Sequence, residues 1–228
     1  MERKFKFSVG EYYHLYNRGV DKRSIFSGDY DKDRFMKTLY LANSDVPVRI
    51  SEIPQGLPLR DIKKGNPIVS IGAYCLMPNH FHILIKEIQD EGISKFMNKL
   101  STSHSMYFNK KNSRTGALFE DTYKAIHLDN DDYLKYIYAY IHLNPAKIID
   151  PVWRENPDSD KIKIKKYISE YKYSSYKDYL ELDREEKIIL DKTDFPDYFS
   201  EDVDKENSVE NMISYMDEWL NFNLNPQG

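Results

Sequence analysis

Ile68-Val69-Ser70-Ile71-Gly72-Ala73-Tyr74-Cys75-Leu76-Met77-Pro78-Asn79-His80-Phe81-His82-Ile83-Leu84-Ile85-Lys86-Glu87 is the stretch on which the fold turns. It holds two apolar runs, 68–77 and 80–87, separated only by Pro78-Asn79, and this pattern predicts an antiparallel hairpin. Side chains alternate across a strand, so His80 and His82 share one face while Phe81, Ile83 and Ile85 share the other. Two neutral imidazoles held about 6–7 Å apart by strand geometry make half of a divalent-metal site. The same pair also arises as an ordinary feature of a half-buried strand, and the motif alone does not separate the two readings.

Working outward, residues 12–17 alternate weakly and read as a first strand ended by Asn17-Arg18-Gly19. Asp29-Tyr30-Asp31 opens a helix with Phe35, Leu39 and Ala42 at helical spacing. Residues 50–53 read as an edge strand, and 54–67, with Gly56, Pro58 and Gly65, as an exposed loop. Residues 92–112 form a helix with Ile93, Phe96, Met97 and Leu100 on one face, broken at Arg114-Thr115-Gly116. Residues 117–119 and 123–127 are short extended pieces. Asn130-Asp131-Asp132 then caps a helix ending near Asn144, because Pro145 disfavours the α conformation in the residue before it. This β-α-β-β-α-β order with an extra helix predicts an α+β fold: a ferredoxin-like (RRM-like) antiparallel sheet with helices on one face.

The chain divides at about residue 150. Residues 1–150 form the expected core domain. Residues 151–228 read as an accessory C-terminal region, mainly helical and acidic, with a basic alternating patch at 161–166 and helices at 167–180 and 209–220. Of the charged side chains, residues 1–150 carry 22 basic against 18 acidic, and residues 151–228 carry 11 against 19. The net charge of −4 excludes an indiscriminate polyanion binder, while the mildly basic front is compatible with a focused nucleic-acid groove. The 19 tyrosines can stack on unpaired bases, although compositional bias accounts for most of them. No apolar run approaches a membrane span, and the basic N-terminus lacks the apolar run of a signal peptide. The lone Cys75 forms no intramolecular disulfide. A cytoplasmic location is the expectation.

On the 131–144 helix, Leu134, Ile137, Tyr138 and Ile141 make a core-facing stripe. Tyr133, Tyr136, Tyr140 and Asn144 make a second stripe about 100° away. Tyr140 and Asn144 are therefore one turn apart. A phenol beside an amide oxygen, both able to face the sheet bearing His80 and His82, can serve as nucleophile and ligand. Equally, the tyrosines can pack on the sheet edge while Asn144 caps the helix. His142 falls roughly 200° from Tyr140 and outside the site, and His14, His104 and His127 read as structural.

Four motifs occur in order: Tyr13-His14-Leu15-Tyr16-Asn17-Arg18-Gly19; Met77-Pro78-Asn79-His80-Phe81-His82; Phe108-Asn109 leading to Arg114-Thr115-Gly116-Ala117-Leu118-Phe119-Glu120; and Tyr140-Ile141-His142-Leu143-Asn144-Pro145. Together they resemble the REP-associated tyrosine transposases, a branch of the single-tyrosine HUH transposases. The likeness runs from about residue 10 to 150, and Ser174-Ser175-Tyr176 resembles a segment that follows the nuclease core in relatives. The resemblance implies an HUH nuclease core and a single-stranded DNA endonuclease and strand transferase acting near hairpin DNA through a 5′-phosphotyrosine intermediate. It implies Tyr140 as nucleophile, with His80, His82 and Asn144 as ligands of a divalent metal, Mg²⁺ or Mn²⁺. Its expected partner is single-stranded or hairpin DNA, with no membrane and no small-molecule organic cofactor, and the protein works as a monomer or homodimer.

Around that set, Arg18, Arg114 and Lys124 are candidates for DNA contact. Tyr136 is a second nucleophile, a stacking platform or packing. Glu120 either supports a metal histidine or is salt-bridged. The competing reading is a domesticated protein that binds structured DNA or RNA without cutting it. A barrel hydrolase needs about 250 residues and further ligand motifs, and is excluded. An oligomerising structural protein is a third possibility.

Overall fold

The computed structural model describes residues 6–54, 56–199 and 208–224. Its sheet has four strands: β1 (Tyr12–Arg18), β2 (Val69–Met77), β3 (His80–Glu87) and β4 (Lys124–Leu128). They run antiparallel in the order β2-β3-β1-β4, the order of a ferredoxin-like sandwich. β2 and β3 form the hairpin read from the sequence, closing at Met77 opposite His80. Pro78 and Asn79 suffice as its loop because only two residues need to leave the ladder.

The register decides what each face carries. Tyr16 lies opposite His82 and Arg18 opposite His80 across β1–β3, and Tyr16 lies opposite Lys124 across β1–β4. His14, Tyr16, His80, His82, Lys124 and Ile126 therefore share one face. Tyr13, Leu15, Phe81, Ile83 and Ile85 share the other. That second face is covered by α1 (Asp29–Ala42) and α2 (Gly92–Lys111). Phe35 of α1 meets Phe81 with ring centroids 5.2 Å apart, and His104 of α2 packs on Phe35 at 4.9 Å. The ferredoxin-like α+β fold is as expected, with α1 and α2 together on one side.

The extra helix, α3 (Asp131–Leu143), takes the opposite face. Ala73, Cys75 and Leu84 on that face are buried and need a cover, which Leu134, Ile137 and Ile141 supply. The Asn130 side chain accepts from the Tyr133 N–H and starts the helix as read. Its end differs in cause. Asn144 and Pro145 both keep α conformation and lead into α4 (Ala146–Ile149), so Pro145 opens the next turn, where its missing N–H costs nothing.

Beyond residue 150 lie α5 (Lys161–Glu170), α6 (Tyr176–Tyr179) and α7 (Ser208–Leu224). The basic patch at 161–166 lies in a helix, because Ile164 and Ile168, one turn apart, are its buried positions. The helix expected over 167–180 is interrupted. Residues 171–175 leave the helix as turns around a bridge from Ser174 to Cys75 at the outer edge of β2, where the Leu76 N–H donates to the Tyr173 carbonyl and the Ser175 N–H to the Tyr74 carbonyl. The edge strand expected at 50–53 is a 3₁₀ turn, Ile50–Glu52. Among the described residues no helix is long and apolar enough to cross a membrane.

Candidate active site

A cleft of about 550 Å³ opens between α3 and the strand face that carries the histidines. His80 and His82 line it with ring centroids 5.0 Å apart and planes at 88°. Two residues apart on one strand, they project side by side without stacking. Tyr140 enters from α3 and meets the His82 ring edge-on at 5.4 Å. Asn144, one turn further, is buried, and its Nδ2 makes a 3.4 Å bond to the carbonyl of the half-buried Tyr140.

Each histidine is held by its Nδ1. The His80 Nδ1 lies 2.6 Å from Asn79 Oδ1, while Asn79 Nδ2 donates to the Lys22 carbonyl. An amide oxygen only accepts, so His80 Nδ1 carries the proton and Nε2 is left with a lone pair. The His82 Nδ1 shares a 2.9 Å hydrogen bond with His14 Nε2. His82 Nε2 and Asn144 Oδ1 are both buried and without a hydrogen-bond partner. Orphaned buried polar atoms are costly, so each of the two is fitted to take a further partner.

The electrostatics keep the imidazoles neutral. Burial holds His80 down at about 4, helped by the nearby Arg18 and Lys147 charges, and the approaching Asn144 side chain offsets only part of this. Burial lowers His82 well below the usual histidine range, and the neighbouring His14 and His80 lower it further. His14 is held at about 3 by burial alone. Neutral imidazole nitrogens beside a free amide oxygen form a donor set suited to a divalent cation. Among the described residues no three His, Cys, Asp or Glu side chains are placed to share an ion.

The structure brings most of the expected residues together. Arg18, Glu120, Lys124 and Tyr136 all line the cleft with the two histidines and Tyr140. Tyr136 stacks against Tyr140 at 6.3 Å, and Trp219 of α7 stacks on Tyr136 at 4.1 Å. Arg114 lies elsewhere: its guanidinium bonds Asn109 Oδ1 and the Ala117 carbonyl, tying the end of α2 to the following loop. Among the lining residues that the sequence reading leaves out are His14, Tyr16 and Lys147. His14 and Tyr16 alternate with Tyr13 and Leu15, and that spacing carried the signal for their shared face. Lys147, whose ammonium sits 5.1 Å above the Tyr140 ring, follows Asn144 by three residues. Carrying the helix through Pro145 would have revealed it. His142 points away, hydrogen-bonded to Ser175 Oγ at 2.7 Å.

Residues 59–144 match the family model described as "Transposase IS200 like", a little over a third of the chain. The matched segment contains both histidines, Tyr140 and Asn144. A search of curated proteins returned no match. A solved structure described as "Structure of the REP associates tyrosine transposase bound to a REP hairpin" aligns with a TM-score of 0.49 at 13% identity, over 79% of this chain and 86% of that one. The segment that supplies both histidines, Tyr140 and Asn144 is therefore similar to the IS200-like transposases.

Proposed function

We propose that the protein cleaves and rejoins single-stranded DNA beside a hairpin, with Tyr140 as nucleophile and a divalent cation held by His80, His82 and Asn144. The observation that carries this reading is the unpartnered, buried His82 Nε2 in the cleft that Tyr140 enters, together with the unpartnered Asn144 Oδ1 one helical turn beyond Tyr140. When bound, Mg²⁺ or Mn²⁺ supplies Lewis-acid polarisation of a phosphoryl oxygen. The chain's own groups do the rest. Arg18, Lys124 and Lys147 bring positive charge to the walls on which a phosphodiester would lie. α3 fixes the phenol against His82, so the attacking oxygen needs no further search.

Attack of the Tyr140 oxygen on phosphorus forms the O–P bond and breaks the bond to the 3′-oxygen. The phenol gives up one proton and the leaving 3′-oxygen takes one up, so the products are a 5′-phosphotyrosine and a free 3′-hydroxyl. Because the linkage keeps the energy of the broken phosphodiester, a second 3′-hydroxyl can reverse the step, giving strand transfer. Tyr136 contributes stacking in this arrangement, and Glu120 borders the cleft. The REP-type hairpin and the division into a nuclease core, residues 1–150, and an accessory region belong to the same proposal.

The test is a denaturing gel with labelled single-stranded hairpin DNA, run for wild type and Tyr140→Phe with Mn²⁺ and with chelator. A metal-dependent covalent adduct that disappears in Tyr140→Phe is the expected result. Native-gel binding without any adduct would instead favour a non-cleaving structured-DNA binder. An adduct surviving in Tyr140→Phe would move the nucleophile to Tyr136.

A further inference from the structure

The hydrogen bond between His14 and His82 is unlike the one that holds His80. An amide oxygen fixes the proton on His80, whereas His14 can either donate or accept. The two imidazoles lie 2.9 Å apart, Nε2 to Nδ1, with ring centroids at 5.0 Å and planes at 26°. Both are buried. His14 reaches His82 diagonally across the β1–β3 ladder, since Tyr16 stands directly opposite His82 and His14 opposite Leu84.

One proton lies between the two rings, and its owner decides what His82 offers the cleft. If His14 donates, His82 must carry its own proton on Nε2, and an N–H then faces the cleft. If His14 accepts, His82 is protonated on Nδ1 and Nε2 presents a lone pair. Arg18 and Lys147 both act on His82 from the cleft side. Positive charge there attracts a lone pair and repels an N–H dipole, so the second arrangement is the stable one. The His14 Nδ1 is buried without a partner in either arrangement and does not choose between them.

We propose that His14 is the positioning residue of His82: it accepts the His82 Nδ1–H and so turns the Nε2 lone pair into the cleft. The more usual support for a metal-binding histidine is a carboxylate or a backbone carbonyl. A carboxylate in this buried place would carry an unpaired negative charge and weaken the positive field that a phosphodiester needs. A neutral imidazole provides the acceptor without that charge. The proposal rests on the reading of His82 as a ligand only for its consequence, since the tautomer is a property of the metal-free protein.

The test combines two readouts on wild type, His14→Phe and His14→Gln. The first is the imidazole ¹⁵N spectrum of the metal-free protein, with His82 assigned by comparison with His82→Asn. A His82 protonated on Nδ1 in wild type supports the proposal, and protonation on Nε2 overturns it. The second is Mn²⁺ affinity by calorimetry without DNA. His14→Phe keeps the packing but removes the acceptor, and should weaken binding about 10–100-fold. His14→Gln, whose amide oxygen accepts, should recover most of that loss, which a merely structural histidine would not explain. Wild-type affinity in a folded His14→Phe overturns the proposal. Absence of Mn²⁺ binding in the wild type would bring down the metal reading alone, and the ¹⁵N spectrum would still decide the role of His14.

Discussion

Asn144, a proposed metal ligand, shows how such a residue can be costly to the fold that carries it. Its Oδ1 is buried with no hydrogen bond, and such an atom costs about 1–3 kcal/mol. Removing it should therefore relieve the protein while disabling the cleft. Asn144→Ala is expected to melt within a few degrees of wild type, although truncating a buried Asn ordinarily destabilises, and to bind Mn²⁺ at least about 10-fold more weakly. Calorimetry and thermal melting of the same preparation check both halves, and a large loss of stability with unchanged affinity would show Asn144 to be structural. At this scale the sequence was informative wherever periodicity is local. His80 with His82, and Tyr140 with Asn144, follow from strand and helix spacing alone. The His14–His82 contact joins residues 68 apart, which no local pattern displays. Arg114 shows the limit of such reading: a lone arginine after a helix looks available, while in the structure its guanidinium bonds Asn109 and the Ala117 carbonyl.

Among the elements, the segment 171–175 does the least expected work. β2 is an edge strand, and unpaired edges recruit other chains unless they are covered. Here Tyr173 and Ser175 pair with Leu76 and Tyr74, the Tyr171 hydroxyl donates to the Leu76 carbonyl at 2.6 Å, and Cys75 bridges Ser174. Ser175 also links this strap to α3, because its Oγ meets the His142 Nε2 and accepts from the Tyr74 N–H. Ser175→Ala leaves two buried groups without that partner and should cost about 1–3 kcal/mol. The drop would be read as a lowered midpoint in urea, and an unchanged midpoint would mean the strap holds by packing alone. The sequence hid this element. Tyr167 to Leu180 has helical apolar spacing, and the vacant edge of β2, which no local pattern displays, draws 171–175 out of the helix into turns that bridge it. The same competition explains residues 50–53, whose β-branched character found no strand to pair with and settled into a turn.

Across the whole molecule, burial of histidine sets a dependence on pH. Five of the six histidines are pushed below the ordinary value: His14 and His142 to about 3, His80 and His104 to about 4, and His82 in the same direction. Desolvation is the first cause in each case. In the unfolded chain all five titrate near 6.5, so between that value and about 4 the unfolded state binds protons that the folded state refuses. Folded stability is then complete above about 6.5 and is lost as pH falls towards 4, at up to ~1.4 kcal/mol per pH unit for each fully depressed group. Glu87 and Asp178, whose carboxyls burial raises, act in the opposite sense, but they are two against five and titrate from a lower starting value. Urea midpoints measured at pH 7.5, 6.5, 5.5 and 4.5 should fall steeply below 6.5. His104 and His142 lie outside the cleft, on the Ile25 carbonyl and on Ser175, so their share can be isolated from the site. His104→Asn should lower stability at pH 7.5, because it disturbs packing against Phe35, yet flatten the acid slope by the contribution of one group. A midpoint that stays level down to pH 5, or a slope that His104→Asn leaves untouched, would show that these rings accept protons in the folded state and that the cleft is not held neutral by burial.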